Sequence, residues 1–327
     1  MKAIAIESHG EPEVLQPVMM PEPEPGPHDA LIRIRAVGVN RADVLQRRGF
    51  YPPQPDAPEN VPGLEFAGEV EAIGEKVTNL AVGNRVYGLA SGGTYAEYIC
   101  VHSRAVSKIP HNLGYIEAAA IPEAFITAYD AAVIQGGLSA GEYVLITAVG
   151  SGVGTAMVQI AKAIGAISIG TARQGHKLEQ AEALGLNHRV LSVDGAFAEE
   201  VKSATTNGAG VDVVLELVGG KYVAEDIECC APKGRIIVVG LVAGTKVQAD
   251  LGLILRKRLT LKGTTMRARP LEEKIAAAQL LSKNLNPLFV DGVLKPIVDQ
   301  TFKLEDAAKA HAYMESNENF GKIILEV

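Results

Sequence analysis

Apolar and β-branched residues alternate with polar ones over Lys2–Ile6, Ala30–Gly38 and Glu65–Ile73, and clusters of glycine and proline separate the three runs. A period of two puts alternate side chains on one face, so these segments predict short, half-buried strands of an antiparallel, barrel-like unit. The stretch Tyr51–Pro62 holds Pro52, Pro53, Pro55, Pro58 and Pro62. Fixed φ and missing amide donors make it a stiff surface loop, suited to walling a cleft.

From about Pro122 the pattern changes. Apolar runs at Tyr143–Ala148, Ala166–Thr171, Arg189–Leu191, Val211–Leu217, Arg235–Gly240 and Leu259–Gly263 alternate with amphipathic segments. Between the first two, Val153, Met157, Ile160, Ala161 and Ile164 recur at helical spacing. Strand and helix in strict alternation predict an α/β fold whose second part is a six-stranded, doubly wound parallel sheet. After Thr264 a helix (Leu271–Ser282), a strand (Pro296–Phe302), a helix (Leu304–Glu315) and a last strand (Lys322–Val327) break that alternation. They are expected to return to the first domain, giving residues 1–123 as its first part, 124–265 as the nucleotide-binding domain and 266–327 as the return.

Composition narrows the class. The 327 residues are 47% hydrophobic and 21% charged, with 34 glycines and a net charge of −7. That balance lacks the basic footprint of a nucleic-acid binder, so no nucleic-acid partner is expected. Cys100, Cys229 and Cys230 are the only cysteines. An odd trio is neither a disulfide framework nor a zinc lobe, and it suits a reducing compartment. Cys229 and Cys230 fall on an expected helix as buried small hydrophobes. The amino terminus shows no apolar run behind a basic start, and the uncharged run Tyr143–Ala161 is broken by Gly150, Gly152 and Gly154. Neither a secretory signal nor a membrane span is expected, and the cytoplasm is the default location.

The chemistry starts at Gly150-Ser151-Gly152-Val153-Gly154, where a strand enters a glycine turn and then a helix. That order aims free backbone amides and a helix amino terminus at one point, as a pyrophosphate requires, whereas a tight turn that only packs helix on sheet would need no ligand. Thr155 takes the last place of the fingerprint. An NAD site would carry an acidic residue at the end of the second strand. Here Thr171, Arg173 and Lys177 occupy that region, and the first carboxylate, Glu179, lies inside the next helix. Small polar groups and two cations suit a 2′-phosphate, so NADPH is the expected cofactor; the alternative is two solvated surface cations.

With those residues in place, the chain resembles the zinc-independent quinone oxidoreductases of the medium-chain dehydrogenase/reductase superfamily, closest to the p53-inducible, NADPH-dependent type. The resemblance runs through Gly38-Val-Asn40-Arg-Ala-Asp43, Tyr51-Pro-Pro, Pro62-Gly63-Leu64-Glu65, the glycine segment with Gln159 and Lys162, Ala310-His-Ala-Tyr-Met-Glu and Gly321-Lys322-Ile. It implies a GroES-like catalytic domain beside the Rossmann domain. Zinc-dependent members hold their catalytic metal with a cysteine and a histidine at places that read Asn40 and Leu64 here. Neither side chain is a zinc ligand of that kind, and no metal is expected.

Without a Lewis acid the acceptor must already be electrophilic, which points to hydride transfer to a quinone, with an alkenal or enone as the alternative. A non-catalytic nucleotide- or RNA-binding protein is the alternative of another class. Asn40 is a candidate to hydrogen-bond substrate or cofactor, or else to cap the helix starting at Arg41. Tyr51 is a candidate to pack on the quinone or donate a proton, or else to anchor its loop. Ser151 either contacts the cofactor or is merely small enough for its turn. The resemblance further implies Thr127, Gly240, Leu241 and Met266 near the nicotinamide, Asn317 reaching the cofactor, and Glu65 in a structural role. It also implies a homodimer, with a tetramer as the alternative, joined at an edge offered by Ile236–Val239 and Leu259–Leu261.

Overall fold

Backbone pairing turns the alternating runs of the amino-terminal third into one sheet. The structure, a computed structural model, describes residues 1–327. The chain divides into two units, Met1–Ile126 with Met266–Val327, and Thr127–Thr265.

In the first unit a seven-stranded sheet runs in the order Val298–Lys303, Lys322–Glu326, Asp29–Val39, Glu65–Ile73, Arg85–Leu89 and Val106–Lys108, with Tyr98–His102 also paired to Asp29–Val39. All neighbours are antiparallel except Val298–Lys303 and Lys322–Glu326. Lys2–Ile6 and Leu15–Met19 form a separate two-stranded ribbon. The core gathers Ile4, Ile32, Ile34, Phe66, Val70, Val86, Ile323 and Leu325. Gly38 lies opposite Glu65 across the central pair. A Cβ at Gly38 would sit 2.2 Å from Glu65 Oε1, so the glycine makes room for a buried carboxylate. The proline stretch connects Arg41–Arg47 to the next strand without helix or strand of its own.

The second unit is a six-stranded parallel sheet in the order His188–Leu191, Ile167–Ala172, Tyr143–Ile146, Val211–Glu216, Cys230–Val238 and Thr260–Gly263, the Rossmann arrangement expected. Leu145, Ile169, Val214, Val223, Ile227 and Ile236 form its buried core. The helix Gly152–Ile164 buries Met157, Ile160 and Ala161 and ends on Gly165, whose left-handed φ of 79° closes the last turn.

Three expectations are corrected. The helix Tyr222–Cys229 stops between the two adjacent cysteines, so Cys230 opens a strand; both are buried, as small hydrophobes would be. That strand begins earlier than Arg235 because Cys230 pairs with Val211 before the register shifts and pairing resumes at Arg235 with Val213. Ile236–Val239 offers no edge: Cys230–Val238 is paired on both sides, which leaves Thr260–Gly263 as the edge strand at that end of the sheet, with His188–Leu191 at the other.

Candidate functional site

In the nucleotide-type unit, the strand Tyr143–Ile146 leads to Ala148, whose φ of 49° turns the chain sharply into Gly150–Ser151. Ser151 is the N-cap of the helix that follows, its Oγ accepting from the Gly154 amide at 3.1 Å. Capping, neither of the roles expected for it, is what its side chain does in the chain itself. Gly154 lies so close beneath the turn that a Cβ would meet Val149 O at 2.5 Å and Ala148 O at 2.7 Å. Helix geometry leaves the amides of Gly152 and Val153 without intrahelical acceptors, at the positive end of a 13-residue helix. A dinucleotide pyrophosphate fits this cradle: it is narrow, glycine-lined and rich in backbone donors.

At the end of the neighbouring strand Ile167–Ala172, Thr171 is buried and its carbonyl accepts from Val149 N at 3.0 Å, tying that strand to the turn. Arg173 is exposed and Lys177 half-buried in the first turn of the helix Gly175–Leu184. Gly240 and Leu241 follow the strand Cys230–Val238, with Leu241 exposed. Thr127 is buried near the end of the helix Pro122–Ala128.

The first unit holds a buried polar cluster centred on Asn40. Its backbone N–H donates to Asp43 Oδ2 at 2.8 Å across the first turn of the helix Arg41–Arg47. Its side-chain Nδ2 donates to Gly38 O (3.2 Å) and Glu65 Oε1 (2.9 Å), and its Oδ1 accepts from Lys322 Nζ at 2.6 Å. Lys322 Nζ also donates to Val39 O at 2.9 Å and pairs with Glu65 Oε1 at 2.6 Å. An ammonium therefore sits among three oxygens in the corner between Asn40 and Glu65. Both amide hydrogens of Asn40 are committed, and Asn40 also stands as the N-cap of the helix, in a capping box with Asp43. Nowhere does the chain bring three His, Cys, Asp or Glu side chains together as a metal would need.

Behind Asn40, the Tyr95 hydroxyl lies between Asp43 Oδ2 (3.3 Å) and His311 Nε2 (3.0 Å). All three residues are fully buried. Burial, then the charges of Arg47 and Arg41, lowers the His311 imidazole to about 3, so it is neutral. Burial pushes the Asp43 carboxyl from 3.8 up to about 7, against the pull of the Asn40 amide and Lys322; Glu65 raises it further and Arg267 lowers it. Because the folded value lies above the unfolded one, the stabilisation is complete below about pH 4 and is lost as pH rises through 7. The melting temperature of Asp43→Asn relative to the native chain is accordingly expected to climb between pH 4.5 and pH 8, by the equivalent of on the order of 4 kcal/mol. Melting curves at four pH values check this, and a constant difference would contradict it.

Tyr51 is half-buried, and the Arg267 guanidinium lies 4.6 Å from its ring centre. Arg267 is itself fixed by Gln46 Oε1 (2.9 Å) and Ser91 O (3.0 Å). A groove of about 370 Å³ beside Tyr51 is lined by Ser8, His9, Gln46, Pro52, Pro53 and Asn60. Met266 is buried next to Arg267. Asn317 occupies the left-handed C-cap of the helix Ala307–Ser316 and accepts from Arg41 Nη2 at 2.9 Å. Lys322 and Arg267 were not among the expected site residues. Lys322 stands in a motif of the resemblance, but its separation of 282 positions from Asn40 hides their contact, and Arg267 carries no local pattern at all.

Comparison with known proteins accords with this geometry. Residues 26–111 match the alcohol dehydrogenase GroES-like domain family, and residues 152–283 the zinc-binding dehydrogenase family. The chain is 32% identical to the quinone oxidoreductase of Lama guanicoe over 99% of its own length and 97% of the relative's. It superposes with a TM-score of 0.90 and 27% identity on Escherichia coli quinone oxidoreductase complexed with NADPH, all of both chains being covered. The CurK enoyl reductase is similar as well, with a TM-score of 0.88, 28% identity and coverage of 99% of this chain and 98% of that one. No helix is long and apolar enough to cross a membrane. By full-length similarity and by both matched families, the chain belongs to the medium-chain dehydrogenase/reductase superfamily and is an oxidoreductase of that family.

Proposed function

We propose that the protein reduces quinones with NADPH by hydride transfer, without a metal. The observation that carries this reading is the corner around Asn40, where Leu64 and an Asn40 committed to Lys322 and Glu65 stand at the places of the metal ligands. Activation of an unreactive alcohol has no Lewis acid there, and an acceptor that is already electrophilic needs none.

The bound cofactor supplies the hydride. The amides of Gly152 and Val153 hold its pyrophosphate, with Gly150 and Gly154 keeping the turn tight. Thr171, Arg173 and Lys177 hold the 2′-phosphate. Thr127 and the backbone of Gly240 and Leu241 would hold the nicotinamide end. Reduction by hydride would leave an electron pair on a quinone oxygen, and Tyr51 or water would supply the proton that completes the hydroquinone. Tyr51 packs on the acceptor ring, and Arg267 keeps the phenol ring in place by stacking on it. Asn40 is held fixed by its bonds to Gly38, Glu65 and Lys322.

The likeness to an enoyl reductase favours a second reading, reduction of an enone by the same hydride geometry. For assembly, the exposed edge Thr260–Gly263 with Leu251, Leu255 and Leu261 outside supports a homodimer.

Steady-state oxidation of NADPH and NADH by EDTA-treated protein, with an ortho-quinone, a para-quinone and a short enone, tests the proposal. Chelator-insensitive turnover with NADPH and a quinone is expected, and a higher kcat/KM for the enone would select the second reading. Arg173→Ala is expected to raise KM for NADPH about 10- to 100-fold, the worth of one charge-assisted hydrogen bond, and to leave KM for NADH unchanged. Equal losses for both cofactors would remove Arg173 from the phosphate site.

A further inference from the structure

Two carboxyl groups inside the nucleotide-type unit have no place in the mechanism above. Glu216 ends the strand Val211–Glu216 and Asp226 lies on the helix Tyr222–Cys229, and neither side chain reaches solvent. Glu216 Oε1 accepts from the amides of Val218 and Gly219, the latter at 2.5 Å. Its Oε2 and both oxygens of Asp226 receive no N–H or O–H from the chain. The two carboxyl groups are instead in hydrogen-bonding contact with each other. Two acceptors in contact need a proton between them, because a pair of facing carboxylates cannot both ionise in a dry interior. Burial raises both groups, and the pair holds that proton as a unit.

The amides that Glu216 binds belong to a turn. Gly219 and Gly220 both have positive φ there, 75° and 57°. The turn is pressed onto the segment after the next strand: a Cβ on Gly240 would lie 2.1 Å from Leu217 O, and one on Gly219 would lie 2.9 Å from Leu241 Cα. Backbone bonds join the two layers, with Val239 and Gly240 donating to Glu216 O, Ala243 to Val218 O, and Gly220 to Gly244 O. Gly240 and Leu241 are the residues assigned above to the nicotinamide end of the cofactor. Their backbone therefore rests on a turn that the Glu216 carboxyl holds from beneath.

We propose that Glu216 and Asp226, joined by one shared proton, are positioning residues for the cofactor: together they set the Leu217–Gly220 turn and so the Gly240–Leu241 backbone, and losing the proton weakens cofactor binding. This rests on the reading that Gly240 and Leu241 contact the cofactor. The groups facing the pair are few. Thr147 lies beside Glu216, its hydroxyl donating to Leu215 O at 3.2 Å and accepting from Leu217 N at 2.7 Å. Glu225 adds a like charge near Asp226, and Cys229 donates to the Asp226 carbonyl at 3.5 Å, with Cys230 beyond it. Lys257, from the helix Leu251–Lys257, is held on the carbonyls of Ile227 and Glu228. Raised pH thus puts a second negative charge where the nearest charged neighbours are acidic.

Fluorescence titration of the full chain with NADPH from pH 6.5 to 9, beside melting curves, tests the proposal with Glu216→Gln and Asp226→Asn. In either variant an amide N–H replaces the shared proton, and in Glu216→Gln the remaining carbonyl can still accept from Val218 and Gly219. The native Kd is expected to rise at least fivefold across that range, while each variant stays within twofold of its own value at pH 6.5. The melting temperature of Asp226→Asn relative to the native chain should also increase with pH, a readout that needs no cofactor. Native-like pH profiles in both variants, or a pH-dependent melting gain with no change in the Kd profile, would overturn the positioning role. Failure of the native chain to bind NADPH at any pH would overturn the functional reading and this proposal together.

Discussion

Lys322→Met is expected to cost about 3–5 kcal/mol of stability, a fall in melting temperature on the order of 10 °C for a unit of this size. Methionine keeps most of the buried stem and removes only the ammonium. Glu65, fully buried, then loses the one cation within reach and retains only the amide donors of Asn40 Nδ2 and Glu123 N at 2.9 and 2.7 Å. An unpaired carboxylate in a dry site is costlier than the intact pair is stabilising, so Lys322→Met, Glu65→Gln together should recover most of the loss. Asn40 would also lose its Oδ1 donor, and Asp43, held down by the Lys322 charge, would be protonated more readily. Thermal melts of the two single variants and the double variant complete the cycle. A single Lys322→Met variant melting within 2 °C of the native chain would show that the ammonium is not what neutralises this corner.

What the sequence revealed follows the range over which its signals act. Alternation and helical spacing operate over a few residues, so Lys2–Ile6 and Glu65–Ile73 stand where their patterns put them and the six parallel strands are all present. Boundaries slipped where a backbone device outweighs composition. Cys230 was expected on a helix and the strand from Arg235, yet Pro232, Lys233 and Gly234 lie within a strand that begins at Cys230, because Cys230 pairs with Val211 across a register shift. The glycine turn was legible for the same local reason, as strand, turn and helix are contiguous. The cluster around Asn40 was not: Asn40, Glu65, Lys322 and His311 come from three separated stretches, and only the sheet register that sets Gly38 opposite Glu65 and Ile323 opposite Val39 brings three of them together. Ser151 was singled out for contact with the cofactor or for its size, and its cap to Gly154 shows only in the folded turn.

Gly154→Ala is expected to weaken NADPH binding by about 5- to 150-fold and to lower the melting temperature as well. The added methyl would meet Val149 O at 2.5 Å, Ala148 O at 2.7 Å and Val149 C at 2.7 Å. All three are backbone atoms of the turn itself, so no side chain can swing aside; either the helix lifts from the strand or the turn opens. Overpacking of this kind costs roughly 1–3 kcal/mol, and each 1.4 kcal/mol spent in recovering the binding geometry is a tenfold loss of affinity. The Ser151 cap weakens with it where the turn opens, because Ser151 Oγ accepts from the backbone N–H of residue 154 at 3.1 Å and that distance then lengthens. Gly175, first residue of the next helix, is the matched control: a Cβ there meets nothing within 4 Å, and Gly175→Ala should bind NADPH as the native chain does. A fluorescence titration of both variants, with circular dichroism to confirm folding, reads the difference. If Gly154→Ala folds and binds NADPH as tightly as Gly175→Ala, the close approach of helix to turn is not what the cofactor requires, and the glycine serves packing alone.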